Sequence, residues 1–380
     1  MKFHNLIDQE RVGKQLTGMV RQGRLSHALL FLGPEGSGAL PLAIAFAQYI
    51  VCANKTPEDS CGTCDQCKKA AALVHPDIHF SYPAVKNKEK GREEGISTEY
   101  IQEWRRFIRE NPYGRVTDWV RSISSENKQG NINARECHEI IHKLSYKSFE
   151  SEYKILLMWM PEYLEKEGNR LLKLVEEPPP KTLFLFVGQR QEQILGTIVS
   201  RTQLVKVPPF PIERVRQALM EKEGVGEGIA GQIARISEGN YAEALELVRD
   251  GQEDLLEMLR AWLNAILKHQ AIQVSSWVEQ MSAARSGKET QKNFLRYFIT
   301  LLEHALRLKY LEPGQIALLD QEAEFSKRLM DRIDWIQIRE IIRLLDDACY
   351  HLERNANSKM LFQALSIRLG YIFSRKPVPS

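Results

Sequence analysis

Leu29-Leu30-Phe31-Leu32-Gly33-Pro34-Glu35-Gly36-Ser37-Gly38-Ala39-Leu40 joins an apolar run, a glycine-rich turn and the opening of a second apolar stretch. That order predicts a strand, a tight loop and a helix. Gly33 and Gly38 keep the spacing of G-x-x-x-x-G-K-[ST], a loop whose Lys reaches the outer phosphates and whose Ser or Thr holds magnesium. Here those two positions are Ala39 and Leu40. Gly33, Gly36 and Gly38 therefore read as a degenerate phosphate loop on an NTPase scaffold, and an efficient ATPase site is not expected. The competing reading is a strand-to-helix turn that never meets a phosphate.

At 380 residues the chain is long enough for two or three domains. With 43% hydrophobic and 27% charged residues it has the composition of an ordinary globular protein. A net charge of +3 is too small for nucleic-acid binding by bulk electrostatics, so any such contact needs a local patch. Met1-Lys2-Phe3-His4-Asn5 lacks the apolar core of a secretory signal. No window approaches the roughly 18 apolar residues of a membrane span, and a cytoplasmic protein without membrane partners is expected.

Cys52, Cys61, Cys64 and Cys67 are spaced C-x8-C-x2-C-x2-C, with Gly62 permitting a tight turn beside the second cysteine. Four thiolates so placed can close a tetrahedral shell around zinc, leaving no open position for water, so the metal is expected to be structural. An iron-sulfur cluster is conceivable from spacing alone. A redox dithiol fits less well, because consecutive C-x-x-C steps plus a fourth cysteine leave no simple couple. Cys137 and Cys349 lie on apolar helical faces and read as inert core residues.

Further along, Lys86, Lys88, Lys90, Arg92, Glu93 and Glu94 form a polar run of mixed sign. With the turn at Asn111-Pro112-Tyr113-Gly114, residues 84–130 read as an inserted, solvated surface excursion carrying a short helix near 100–109. A helix is expected over 134–146. Lys154 to Met160, Thr182 to Gly188 and Leu204 to Val207 read as strands of a parallel sheet, with a helix over 163–177 closed by Pro178-Pro179-Pro180. Strands alternating with helices predict α/β architecture. Past Pro208-Pro209 the strand signals fade. One helical face carries Phe294, Phe298, Leu301, Leu302 and Ala305, and another Ile338, Ile341, Ile342, Leu345, Cys349 and Leu352.

The degenerate loop, the four-cysteine insertion after its helix and the run Asn169-Arg170-Leu171-Leu172-Lys173-Leu174-Val175-Glu176-Glu177-Pro178-Pro179 together resemble the bacterial clamp-loader subunits of the AAA+ class. Ile7-Asp8-Gln9-Glu10, Arg24-Leu25-Ser26-His27-Ala28 and His75-Pro76-Asp77 add to the match, and Asn355-Ala356-Asn357-Ser358-Lys359-Met360-Leu361 extends it to the C-terminal part. Residues 84–130 have no counterpart in it. The resemblance implies an AAA+ P-loop-like α/β domain over 1–207, with a zinc module at 52–67 and the inserted excursion at about 84–130. A small helical lid over 208–250 and an all-α collar domain over 251–380 complete the expected organisation.

It also implies a role in a five-subunit spiral that loads a ring-shaped sliding clamp onto primed DNA, with ATPase partners of the gamma/tau type and a partner of the delta type. ATP sits between neighbouring subunits there. The family motif Ser-Arg-Cys sends its arginine into the adjacent site, and the matching positions are Ser200-Arg201-Thr202. Arg201 is thus expected to act as an arginine finger in trans; from the residue alone, a surface salt-bridging arginine is the alternative.

Where active relatives carry Asp-Glu, this chain has Trp159-Met160-Pro161-Glu162. The polar sensor position is Gln189 and the second-sensor arginine falls at Ala242. These losses, with Arg201 kept, imply a non-hydrolysing stator in the polymerase holoenzyme that serves its neighbour's site. One alternative is a nucleotide-binding AAA+ ATPase, with the loop amides and helix N-terminus holding a phosphate. The other is a zinc-ribbon nucleic-acid binder acting alone, against which Asp59 and Asp65 offset Lys68 and Lys69.

Overall fold

Runs of Leu, Ile, Phe and Val form five strands: β1 (Ala28–Leu32), β2 (Ile78–Ser81), β3 (Lys154–Trp159), β4 (Thr182–Gly188) and β5 (Gln203–Lys206). The computed structural model describes residues 1–87, 92, 94–124, 129–250, 255–282, 288–310, 320–354 and 356–374. All strand pairs are parallel, in the order β2-β3-β4-β1-β5, with Ala28 opposite Phe184 and Lys154 opposite Thr182. β3 and β4 are buried at every residue, as both-face coverage of a parallel sheet requires.

The period of two along each strand divides the core. Leu29, Phe31, Ile155, Leu157, Trp159, Leu183 and Leu185 pack on one face with the helix Ala39–Val51. Leu30, Leu156, Met158, Phe184 and Phe186 pack on the other with Cys137, Ile140 and Leu144 of the helix Ala134–Ser145. Asn133 caps that helix, its side chain accepting from the backbone N–H of Arg135 and Glu136. The helix Ala39–Val51 is buried at all 13 of its residues.

The same core cluster takes in a segment that departs from expectation. Residues 84–130 are not a solvated loop among the described residues: the helices Ile101–Glu110 and Val116–Ile123 turn Trp104, Phe107, Ile108, Trp119 and Ile123 into the core. Trp104 stacks on Tyr82 at 4.1 Å and meets Trp119 and Trp159 at 5.3 Å each. The apolar residues recur at helical spacing while the charges face out. Arg92 lies 4.3 Å over the Tyr100 ring and pairs with Glu103; Lys88, Lys90 and Glu93 of the polar run lie outside the described residues.

The helix expected over 163–177 is a 3₁₀ segment, Pro161–Leu171, followed by a short α-helix, Leu172–Glu176. Gly168 is unfavourable in a helix interior. A Cβ there would also meet Leu195 at 2.6 Å.

Contacts divide the chain into two units: Met1–Arg214 with Gly239–Glu243, and Val215–Glu238 with Ala244–Ser380. Among its described residues the second unit is helical, built on the long helices Lys288–Tyr310 and Trp335–Glu353 with Leu255–Leu267, Ala271–Ser282 and Ser358–Phe373. Trp262 stacks on Trp277 at 4.8 Å, with Phe294 and Phe362 around them. Phe294, Phe298, Leu301, Leu302 and Ala305 are all buried, as are Ile338, Ile341, Leu345 and Leu352. Among the described residues, no helix is long and apolar enough to cross a membrane.

Candidate functional site

The glycine loop leaves the C-terminal end of β1. Gly36 and Gly38 adopt φ of +72° and +80°, where an L side chain is strained. Contact reinforces the requirement: a Cβ on Gly36 would lie 1.9 Å from Asn240 Oδ1, and one on Gly33 2.4 Å from the Val207 carbonyl. Gln9 donates through Nε2 to the Ser37 carbonyl at 3.0 Å. Ala39 and Leu40, at the positions where a phosphate loop needs Lys and Ser or Thr, are 8% and 5% exposed. The cleft over the loop retains a cavity of about 30 Å³ between Gly36, Gly38, Tyr113, Trp159, Met160 and Gln189. Small-molecule sites are typically about 300–1,000 Å³.

At the end of β3, Met160 turns the chain with φ +60°. Glu162 follows, 8% exposed, its Oε1 accepting the backbone N–H of Gln189 at 2.5 Å and of Arg190 at 2.9 Å. This carboxylate fixes the loop after β4. Ala242, at the second-sensor position, is buried at 6% exposure.

The four cysteines do converge. Their Sγ atoms lie within 4.8 Å of one another, Cys52 to Cys61 at 3.6 Å and Cys61 to Cys67 at 3.8 Å. A tetrahedral shell with metal–sulfur bonds of about 2.3 Å places its sulfurs roughly 3.8 Å apart, so this cluster could hold a metal ion. Gly62 makes the turn at φ +78°, and Cys64 caps the helix Asp65–Ala71. Sulfurs accept backbone N–H groups in series: Cys61 N–H to Cys52, Cys64 N–H to Cys61 and Cys67 N–H to Cys64. Such donors from Cys64 and Thr63 lower the Cys61 thiol to about 5. Burial pushes Cys52 and Cys67 up, and a bound cation would oppose that by favouring the thiolates.

Arg201 sits in the turn between the short helix Gly196–Val199 and β5. Its Nη1 donates to the Thr197 carbonyl at 2.8 Å and to Ser200 Oγ at 3.1 Å; Nη2 pairs with Glu176, and the side chain is 36% exposed. Thr202 Oγ1 donates to the Val199 carbonyl at 3.0 Å. The loop glycines, the cysteines and the Ser200–Thr202 turn thus form three separate places on the α/β unit. Asp77 of His75-Pro76-Asp77 builds the loop before β3, accepting the N–H of Phe149, Glu150 and Ser151 at 2.5–2.8 Å.

Sequence reasoning missed Tyr113, Phe210 and Asn240 as neighbours of the glycine loop, and Glu176 as the partner of Arg201. The Asn111–Gly114 turn and the Asn169–Pro179 run were visible as sequence features. Their destinations were not.

Comparison with known proteins adds a family. The family model described as DNA polymerase III, delta subunit, matches residues 8–211. DNA polymerase III subunit delta' of Bacillus subtilis is 26% identical over 244 residues, covering 64% of this chain and 60% of that protein. The Escherichia coli subunit delta' is 24% identical over 367 residues, covering 94% of this chain and 93% of that protein. Subunit gamma/tau of Mycobacterium bovis is 26% identical, covering 65% of this chain and 36% of that protein. Among solved structures, a DNA polymerase III gamma subunit-related protein from Thermotoga maritima aligns over 96% of this chain and all of its own at 15% identity, with a TM-score of 0.37.

Proposed function

The chain belongs to the DNA polymerase III delta-subunit family, and from that premise we propose that it is a non-hydrolysing, delta prime-type subunit of a clamp loader. In this reading it works as a stator beside ATPase subunits of the gamma/tau type and a delta-type subunit in a hetero-pentamer that loads a sliding clamp onto primed DNA. The observation that carries it is a contrast within one unit. The glycine loop is kept, but Ala39 and Leu40, buried under a cleft of about 30 Å³, stand where Lys and Ser/Thr are needed, while Arg201 stands partly exposed in a Ser200–Thr202 turn that departs from Ser-Arg-Cys only at Thr202.

Arg201 then serves a neighbouring subunit's site, its planar guanidinium stabilising charge that spreads over the transferred phosphoryl group. Residues 208–250 are the helical lid and 251–380 the collar through which subunits assemble. Exposed apolar side chains on the C-terminal helices, including Trp335, Met360 and Ile367, support a packing role there. Cys52, Cys61, Cys64 and Cys67 hold a structural zinc, which fits the sulfur spacing and the all-thiolate donor set.

The test is Arg201→Ala in a complex reconstituted with the ATPase partner. Expected is normal assembly with DNA-stimulated ATP hydrolysis reduced by about 10³-fold or more at the site it serves. Unchanged turnover in an assembled complex would refute the assignment.

A further inference from the structure

We propose that the Asn111–Gly114 turn is a resident occupant of the degenerate nucleotide cleft, an intramolecular plug whose Tyr113 ring fills the space above the glycine loop. This rests on reading the loop as a relic of a nucleotide site, and it assigns a role to part of the 84–130 segment.

Tyr113 is 8% exposed and lines the cleft beside the glycine loop. Its hydroxyl oxygen accepts the backbone N–H of Ile7 at 3.2 Å. Its ring meets Tyr241 edge-on at 5.0 Å and Phe210 at 6.1 Å. A Cβ on Gly38 would lie 3.1 Å from Tyr113 Cε1 and 2.9 Å from Phe210 Cζ, so ring and loop backbone are already in contact. Burial pushes the phenol up to about 12.

The mounting is rigid as well as close. Asn111 accepts the Gly114 N–H at 2.9 Å to close the turn, and a Cβ on Gly114 would lie 2.6 Å from Asn111 Nδ2 and Phe107 Cζ. The turn hangs between two helices whose Trp104, Phe107 and Trp119 are locked in the aromatic core. Arg115 closes onto Asp118 where the second helix starts, Nε to Oδ2 at 3.2 Å. Tyr113 therefore joins the excursion to the N-terminal segment, the glycine loop and the two chain segments that carry Phe210 and Tyr241. Little space is left: about 30 Å³ holds one or two waters.

The experiment uses the whole 380-residue chain, with thermal unfolding read in the presence of p-cresol, which matches the tyrosine side chain, and of Mg-ADP. Tyr113→Ala is expected to unfold several degrees below wild type and to be raised again by millimolar p-cresol, as an emptied apolar cavity binds the ring it lost. Wild type and Tyr113→Phe should respond to neither ligand. A wild-type melting temperature raised by Mg-ADP would overturn the proposal, as would a Tyr113→Ala variant that melts like wild type and ignores p-cresol. Should Tyr113→Ala not fold, hydrogen exchange in Tyr113→Phe decides: faster exchange of the Ile7 amide alone supports the plug, and unchanged exchange sinks it. None of these readouts involves Arg201 or an ATPase partner, so failure here is separable from failure of the arginine-finger reading.

Discussion

Trp119→Ala gives the sharpest test of how the 84–130 segment belongs to the fold. Trp119 has no exposed surface and lies edge-on to Trp104 at 5.3 Å and Tyr82 at 5.1 Å, while its Nε1 donates to the Pro83 carbonyl at 2.7 Å. Burying a Trp removes about 150–250 Å² from water, roughly 4–6 kcal/mol at 25 cal/mol per Å² before ordering costs. Measured Trp-to-Ala truncations in cores fall at about 3–5 kcal/mol, and the stranded Pro83 carbonyl adds to the loss, so about 4 kcal/mol is expected. With an m-value of about 2.5 kcal/mol/M, the urea midpoint of the α/β unit should fall by roughly 1.5 M. Exposed Arg106, on the same insertion, is the control: Arg106→Ala should stay within about 0.5 kcal/mol. If Trp119→Ala also stayed within that range, the segment would be the solvated excursion its charges suggest, and the packing argument would fail.

Burial, with Lys143 and Lys154 nearby, holds His79 on β2 down to about 4 against an ordinary value near 6.5. The unfolded chain therefore binds the proton first, and stability should fall by about 2 kcal/mol between pH 7 and pH 5 from this group alone. His79→Gln should flatten that slope in pH-dependent denaturation, and an identical slope in both proteins would refute the assignment. For the cysteine cluster, elemental analysis of reduced protein should find one zinc per chain, released by a strong chelator together with a drop in thermal stability and lost in Cys61→Ala. Metal content near zero in wild type would remove the site.

Four of the five strands were legible because their signal is local: Leu29–Leu32, Ile155–Trp159 and Leu183–Val187 are apolar runs too short for helices and Leu204–Val207 follows them, whereas Ile78–Ser81, with His79 and Ser81 breaking its apolar run, was not read as a strand. The cysteine cluster was legible for a related reason, since ligands within sixteen residues leave the chain few ways to arrange them. The excursion misled because Lys86, Arg92 and Glu94 dominate its composition, whereas Trp104 and Trp119 at helical spacing decide where it packs. Pairings across long separations stayed hidden. Tyr113 reaches Ile7 across 106 residues, and Arg201 finds Glu176 only once the chain has passed through β4. Periodicity says which face of an element is inward, but not which distant element will meet it.

The helix Ala39–Val51, enclosed along its whole length, has an evolutionary corollary. Placing lysine at position 39 or threonine at position 40 one at a time would push a charge or a hydroxyl into a tightly occupied site beneath a cleft of about 30 Å³, at a penalty of about several kcal/mol for the charge. Each single step toward the G-x-x-x-x-G-K-[ST] pattern thus costs stability before the other residue is in place. On the proposed reading that cost acts as a ratchet, and the chain's contribution to an assembly would come from the surfaces it offers to others.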